Sequence, residues 1–198
     1  MTARSLPGLD VCPANISPIP KFFDSTIHNR IIRKFDCGYS EALFHRFLAQ
    51  VGTLQKGLFA KTLIWTATTG DLAAYACLYN ASIPIKESPI VESLPAWTRK
   101  DQLEIPCVKL WMVARSVKYA KQNLGASVIQ YLTMLFASDS NRTGCRFLIL
   151  DSLESRVTFY ESLGFKRLKA TKTSGLVSMY FDLLPIHKQI IAAKKVKS

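Results

Sequence analysis

Two short stretches of this chain hold side chains whose type and spacing could support chemistry. The first, from Val113 to Ile129, reads VARSVKYAKQNLGASVI. An apolar run gives way to Arg115, Lys118 and Lys121, and then to Gly125 at the mouth of a helical pattern. The first amides of a helix find no carbonyl one turn back, and the peptide dipoles add to their positive potential. With three cations beside it, such a place can hold a phosphate. It can equally be a plain strand-to-helix turn with a solvated basic face. The second stretch, Val157 to Phe165, reads VTFYESLGF. Tyr160 falls late in a predicted helix that follows a buried strand, near where open α/β sheets take their ligands. Its hydroxyl could protonate a leaving group as a general acid, or belong to an ordinary packed tyrosine.

Hydrophobic periodicity indicates the elements that must position these residues. Residues 1–20 carry Pro7, Pro13, Pro18 and Pro20 and are expected to form an extended lead-in. Leu43, Phe44, Phe47, Leu48, Val51 and Leu54 follow the helical period, so Ser40–Leu54 reads as a helix that Ser40 can cap. Lys61–Thr68 and Leu72–Ala81 read as strands joined at Thr69-Gly70-Asp71. Pro84 to Pro106 reads as a long irregular connection. Cys107–Ala114 is an apolar strand, Leu124–Ala137 an amphipathic helix and Arg146–Leu150 a second buried strand. Strand, helix, strand makes a right-handed crossover between parallel neighbours. A helix over Glu154–Leu163 should stop at Gly164, followed by strands at Phe165–Lys169 and Leu176–Leu183. The expected fold is α/β: a mixed sheet, antiparallel at its edges and parallel at its centre. Residues 21–186 would form one domain, and residues 187–198, with Lys188, Lys194, Lys195 and Lys197, a basic tail.

Composition narrows the function classes. Of 198 residues, 48% are hydrophobic and 20% charged, which suits a packed core and excludes wholesale disorder. No apolar run nears the roughly 18 residues of a membrane span. Met1–Pro20 lacks the continuous apolar stretch of a secretory signal, so no membrane association and a cytoplasmic location are expected. Cys12, Cys37, Cys77, Cys107 and Cys145 are odd in number and form no CxxC pair, and His28, His45 and His187 are scattered. Reduced thiols and no metal are expected. Lys+Arg 26 against Asp+Glu 14 gives a net charge of +12, which favours polyanionic partners.

Taken together, VARSVKYAKQNLGASVI, FLILDSLESRVTFYESLGF and the closing MYFDL resemble the GCN5-related N-acetyltransferases (GNAT) over roughly residues 20–186. FDCGYSEALFHRFL, from Phe35 to Leu48, resembles the opening of their toxin-type branch. The resemblance implies a GNAT-like sheet, an antiparallel N-terminal hairpin followed by central parallel strands splayed around a coenzyme slot. It implies acetyl-CoA as co-substrate and acetyl transfer to a primary amine, the α-amino group of aminoacyl-tRNA in the toxin branch. It further implies a homodimer and neutralisation by a ribbon-helix-helix antitoxin. The family's pyrophosphate loop falls on Ala120–Gly125, so Val113, Ala114, Arg115, Lys121, Gln122, Asn123, Leu124, Gly125 and Ala126 would bind the coenzyme. A backbone N–H near Val113 would face the thioester oxygen, and Tyr160 would be the general acid. Lys61, Arg33 and Lys34 would contact tRNA, with Arg30, Lys56, Arg99, Lys100, Arg142 and Arg146 as further phosphate contacts.

Three positions depart from the family pattern. Ala120 lacks a polar side chain, Asn123 stands where a glycine is usual, and Leu153 occupies a place where asparagine or aspartate is frequent. Asparagine tolerates a left-handed backbone, and main-chain donors do not depend on side-chain identity. The competing readings are an acetyltransferase acting on a protein or small-molecule amine, and a GNAT-fold binding module without activity.

Overall fold

The computed structural model describes residues 12–38, 50–84, 104–168 and 175–195. Most of the predicted helix over Ser40–Leu54 lies outside them, as do Arg99 and Lys100; residues 50–56 are helical. Seven strands, β1 (Lys21–Phe22), β2 (Lys61–Thr66), β3 (Leu72–Pro84), β4 (Glu104–Arg115), β5 (Phe147–Leu153), β6 (Lys166–Arg167) and β7 (Leu176–Asp182), form one sheet in the order β1-β2-β3-β4-β5-β7-β6. The helices with fully described bounds are α1 (Ser25–Ile32), α2 (Leu124–Thr143), α3 (Val157–Ser162) and α4 (Leu184–Lys195). The chain falls into two compact units. One takes the chain up to Tyr79 together with Trp111–Tyr131, and the other takes Asn80–Leu110 with Leu132 onward.

In the first unit, β2 and β3 form the expected antiparallel hairpin, with Lys61 opposite Leu78 and a register shift at Trp65/Thr66. Gly70 turns the chain with φ +82, and its N–H bonds the Ala67 carbonyl at 2.9 Å. The sequence reading had no element at α1. Its signal was Asp24, whose carboxylate accepts from the Thr26 N–H at 2.8 Å and the Thr26 hydroxyl at 2.6 Å and so caps the helix. Those two bonds hold the Asp24 carboxyl below its ordinary range. Phe23, Ile32, Phe35, Val51, Ile64 and Tyr75 pack into a buried cluster, with Met112 and Ala114 of β4 against it. The proline-rich lead-in, expected to be extended, is turned and bent where described: Ile16 N–H bonds the Pro13 carbonyl at 2.9 Å, and Ile16, its side chain buried, bridges Ala67.

In the second unit, β4 and β5 are parallel, in register from Cys107↔Phe147 to Leu110↔Leu150. This is the predicted crossover, with α2 as its connection. β7 lies antiparallel to β5, and β6 pairs with the outer side of β7. Pro106, expected in the irregular connection, lies inside β4. Ile83, Cys107, Phe147 and Ile149 are the buried centre of this unit.

The expected basic tail is helical as far as Lys195. Asp182 anchors its start by pairing with Arg146 at 2.9 Å and accepting the Leu184 N–H at 3.0 Å. Buried His187 then sets its Nδ1 2.7 Å from the Ala137 carbonyl and 3.0 Å from the Ser140 hydroxyl. Of the lysines that suggested a tail, Lys188, Lys194 and Lys195 are exposed on α4 and Lys197 lies outside the described residues, while Pro185 fits the first helical turn, where a missing N–H costs nothing.

Candidate active site

The loop that leaves β4 is held to the first unit by its own backbone. Ser116 N–H bonds the Ala73 carbonyl at 2.8 Å and Val117 N–H bonds the Asp36 carbonyl at 2.9 Å. Val117–Tyr119 then forms one 3-10 turn, whose start the Ser116 hydroxyl caps by accepting the Lys118 N–H at 3.3 Å. Buried Tyr119 anchors the turn. Beyond it, Lys121 has φ +65 and Asn123 has φ +55, both in the left-handed region. Asn123 therefore does what the usual glycine would do. Alternation into and out of that region turns successive N–H groups toward one side and makes an anion-binding concavity.

α2 begins at Leu124, as predicted, and runs on to Thr143, with Gly125 inside its first turn. The first α-helical bond runs from the Ser127 N–H to the Asn123 carbonyl at 3.1 Å. The amides of Leu124, Gly125 and Ala126 thus lie in the part of a helix that has no intrahelical acceptor. Leu124 is fully buried, which fixes the helix start, and the first turn carries no acidic residue to oppose an anion. Lys121, Gln122 and Asn123 are exposed, while Val113, Ala114 and Arg115 at the end of β4 are half-buried. A backbone cradle, a helix N-terminus and a nearby cation fit a pyrophosphate. Metal-ligand geometry is absent: the described residues contain no group of three His, Cys, Asp or Glu able to hold an ion.

Lys118, expected beside the phosphates, is paired with Asp71 of the β2–β3 turn. That hydrogen bond lowers the Asp71 carboxyl from its ordinary value and raises the Lys118 ammonium. Both flank a cavity of about 230 Å³, lined also by Lys34, Asp36, Ser116 and Tyr119. Of the three expected tRNA contacts, Lys34 reaches this cavity, Arg33 is exposed just past α1, and Lys61 is exposed at the start of β2. Asp71 was read only as a turn residue; a partner 47 positions away leaves no local sequence signal.

In the second unit, Tyr160 sits half-buried in α3, with its ring 5.1 Å from Phe159 and 5.7 Å from Phe165, both edge-on. Its carbonyl accepts the N–H groups of Leu163 at 3.0 Å and Phe165 at 3.1 Å, which closes the helix. Gly164 makes this possible with φ +92, where a Cβ would also lie 3.0 Å from the Phe181 ring. The FYESLGF spacing is therefore a device that fixes one tyrosine. The predicted helix over Glu154–Leu163 is divided into a 3-10 turn, Glu154–Arg156, and α3. Leu153 stands at the N-cap of that turn without a side-chain bond, where asparagine or aspartate would supply one.

No protein-family model matches the chain, and no curated protein matches it. Solved structures do. A bacterial toxin superposes with a TM-score of 0.71 at 20% identity, covering 91% of this chain and 95% of its own. AtaT complexed with acetyl-methionyl-tRNAfMet gives 0.68 at 20%, covering 88% and 99%. A tyrosine-to-phenylalanine mutant of AtaT, bound to the C-terminus of the antitoxin AtaR and acetyl-CoA, gives 0.66 at 20%, covering 89% and 98%. At this identity the likeness establishes the fold, and the fold is GNAT-like, that of these toxins.

Proposed function

We propose that the chain is an acetyl-CoA-dependent N-acetyltransferase whose acceptor is the α-amino group of aminoacyl-tRNA. The observation that carries this reading is the loop from Ser116 to Ala126, with Lys121 and Asn123 left-handed ahead of an acid-free helix start. The GNAT-like fold supports it. So does the presence of acetyl-CoA, a tRNA and an antitoxin in complexes of AtaT, a protein of this fold.

Acetyl-CoA would supply the acetyl thioester. Lys121, the cradle amides and the first turn of α2 bind its pyrophosphate, while Val113, Ala114 and Arg115 at the end of β4 line its path. The Tyr160 hydroxyl gives a proton to the departing sulfur. An aminoacyl ester holds an α-amine less basic than a lysine, so no strong base is required of the chain. Lys34, Arg33 and Lys61 meet the tRNA phosphates, and a ribbon-helix-helix antitoxin and a second copy of the chain are the expected protein partners.

Two measurements test the reading. Calorimetric titration should detect acetyl-CoA binding, and mass spectrometry should find an acetylated aminoacyl adduct after incubation with charged tRNA. No binding at millimolar coenzyme would leave a fold without the enzyme. Coenzyme binding with transfer only to a protein or small amine would replace the acceptor.

A further inference from the structure

The segment joining the helical residues 50–56 to β2 places its side chains against ordinary expectation. At the end of a helix the left-handed position normally falls to glycine. Here Gly57 precedes it, and Leu58 takes φ +61. Leu58 is also 76% exposed and its neighbour Phe59 74% exposed. The chain thus accepts backbone strain and two solvated apolar groups at adjacent positions. Strain of this kind clusters where a surface is used.

Gly57 has a different task. A Cβ there would lie 2.8 Å from the Phe59 ring. One edge of the ring therefore rests on the bare backbone of Gly57, while most of the side chain faces solvent. The result is a preset aromatic platform.

Its surroundings are basic. Lys56 and Lys61, both exposed, flank the pair in sequence. The Gln55 side chain draws three segments together: its amide nitrogen donates to the Phe23 carbonyl, and its oxygen accepts the Thr62 N–H at 3.0 Å. Phe23 directly follows β1, where Phe22 pairs with Leu63 and Lys21 with Ile64; Phe22 and Lys21 are both exposed, Phe22 to 65%. The neighbouring acid, Asp24, is committed to the α1 cap.

Exposed aromatic faces among lysines suit unpaired nucleotides, whose bases stack while their phosphates meet the ammonium groups. A duplex keeps its bases stacked inside and offers them no such contact. From this we infer that Phe59 and Leu58, with Lys56, Lys61, Lys21 and Phe22, dock a single-stranded segment of RNA. The inference rests on the aminoacyl-tRNA reading and adds to it the surface that grips the unpaired part of that acceptor.

The test measures binding of a fluorescent single-stranded RNA oligonucleotide by anisotropy, with an RNA duplex beside it, for wild type, Phe59→Ala and Leu58→Gly. Phe59→Ala should weaken single-strand binding by about ten-fold, the scale of one lost base-stacking contact, and leave duplex binding unchanged. Leu58→Gly should weaken single-strand binding while raising the melting temperature, because glycine removes the left-handed strain. A merely structural Leu58 would not divide those readouts. Equal single-strand affinity in all three proteins overturns the docking surface. So does self-association by sedimentation that Phe59→Ala abolishes while RNA affinity stays unchanged, which would assign the patch to a second copy. Acetylation of charged tRNA is scored separately. If wild type acetylates it with a KM that Phe59→Ala does not move, the surface is overturned and the enzyme stands. If wild type binds RNA through Phe59 but leaves charged tRNA unmodified, the surface stands and the acceptor is wrong.

Discussion

In the proposed site, Asn123 and Tyr160 are the two single residues whose roles can be tested directly. At φ +55, asparagine is among the few residues with a Cβ that bear a left-handed backbone readily. Asn123→Val should cost ~1–2 kcal/mol of stability and loosen acetyl-CoA binding, whereas Asn123→Gly should hold the same backbone with unchanged or tighter binding. Thermal melts and calorimetry on the two variants check this; equal coenzyme affinity in both would detach the cradle from binding. Tyr160→Phe keeps the ring contacts with Phe159 and Phe165 and removes the hydroxyl. Turnover should fall by about 10²–10⁴, the usual worth of a general acid, with acetyl-CoA affinity intact. A variant of wild-type turnover would strip Tyr160 of its assigned role.

Elements carry the next level of control. The 3-10 turn at Glu154–Arg156 begins at Leu153, which is 46% exposed and makes no capping bond. Leu153→Asp should supply one and raise stability by ~1 kcal/mol, seen as a higher melting temperature with the fold unchanged. A lower melting temperature would mean that the leucine packs against something more valuable than a cap. The loop after β4 shows the same dependence on support: its start is bonded to Ala73 and Asp36, and Lys118 to Asp71, residues remote in sequence. Its shape is a property of the β2–β3 hairpin as much as of its own residues.

At the scale of the molecule, burial of thiols makes stability depend on alkaline pH. Burial, with the Cys145 thiol beside it, pushes the Cys107 thiol from 9.0 up to about 12. Burial raises Cys77 as well. The folded state holds these protons more tightly than the unfolded chain does. Their contribution is therefore fully present below about pH 9 and declines as pH rises toward 12, by roughly 1.4 kcal/mol per pH unit for each thiol that titrates only on unfolding. Denaturant melts from pH 8 to 10.5 should show the decline, and Cys107→Val should flatten it. A slope indifferent to that substitution would place the titrating group elsewhere.

The sequence by itself determined the hairpin, the crossover from β4 through α2 to β5, the closing strands and the two motifs. Each of these is written in local terms: period-2 or period-3.6 apolar spacing, a glycine at a helix end, an asparagine where the backbone must turn left. What it left open was decided over distance. α4 was missed because His187 bonds Ala137 and Ser140, 50 and 47 positions away, and a lysine-rich helix face reads as a tail until its other face is buried; α1 was legible, since its Asp24–Thr26 cap spans two residues. Lys118 looked like a free phosphate ligand until the hairpin brought Asp71 to it, and the strained Leu58 beside an exposed Phe59 shows only in three dimensions. Short-range patterning fixes which elements form; tertiary structure fixes what each side chain meets, because those partners lie tens of residues away.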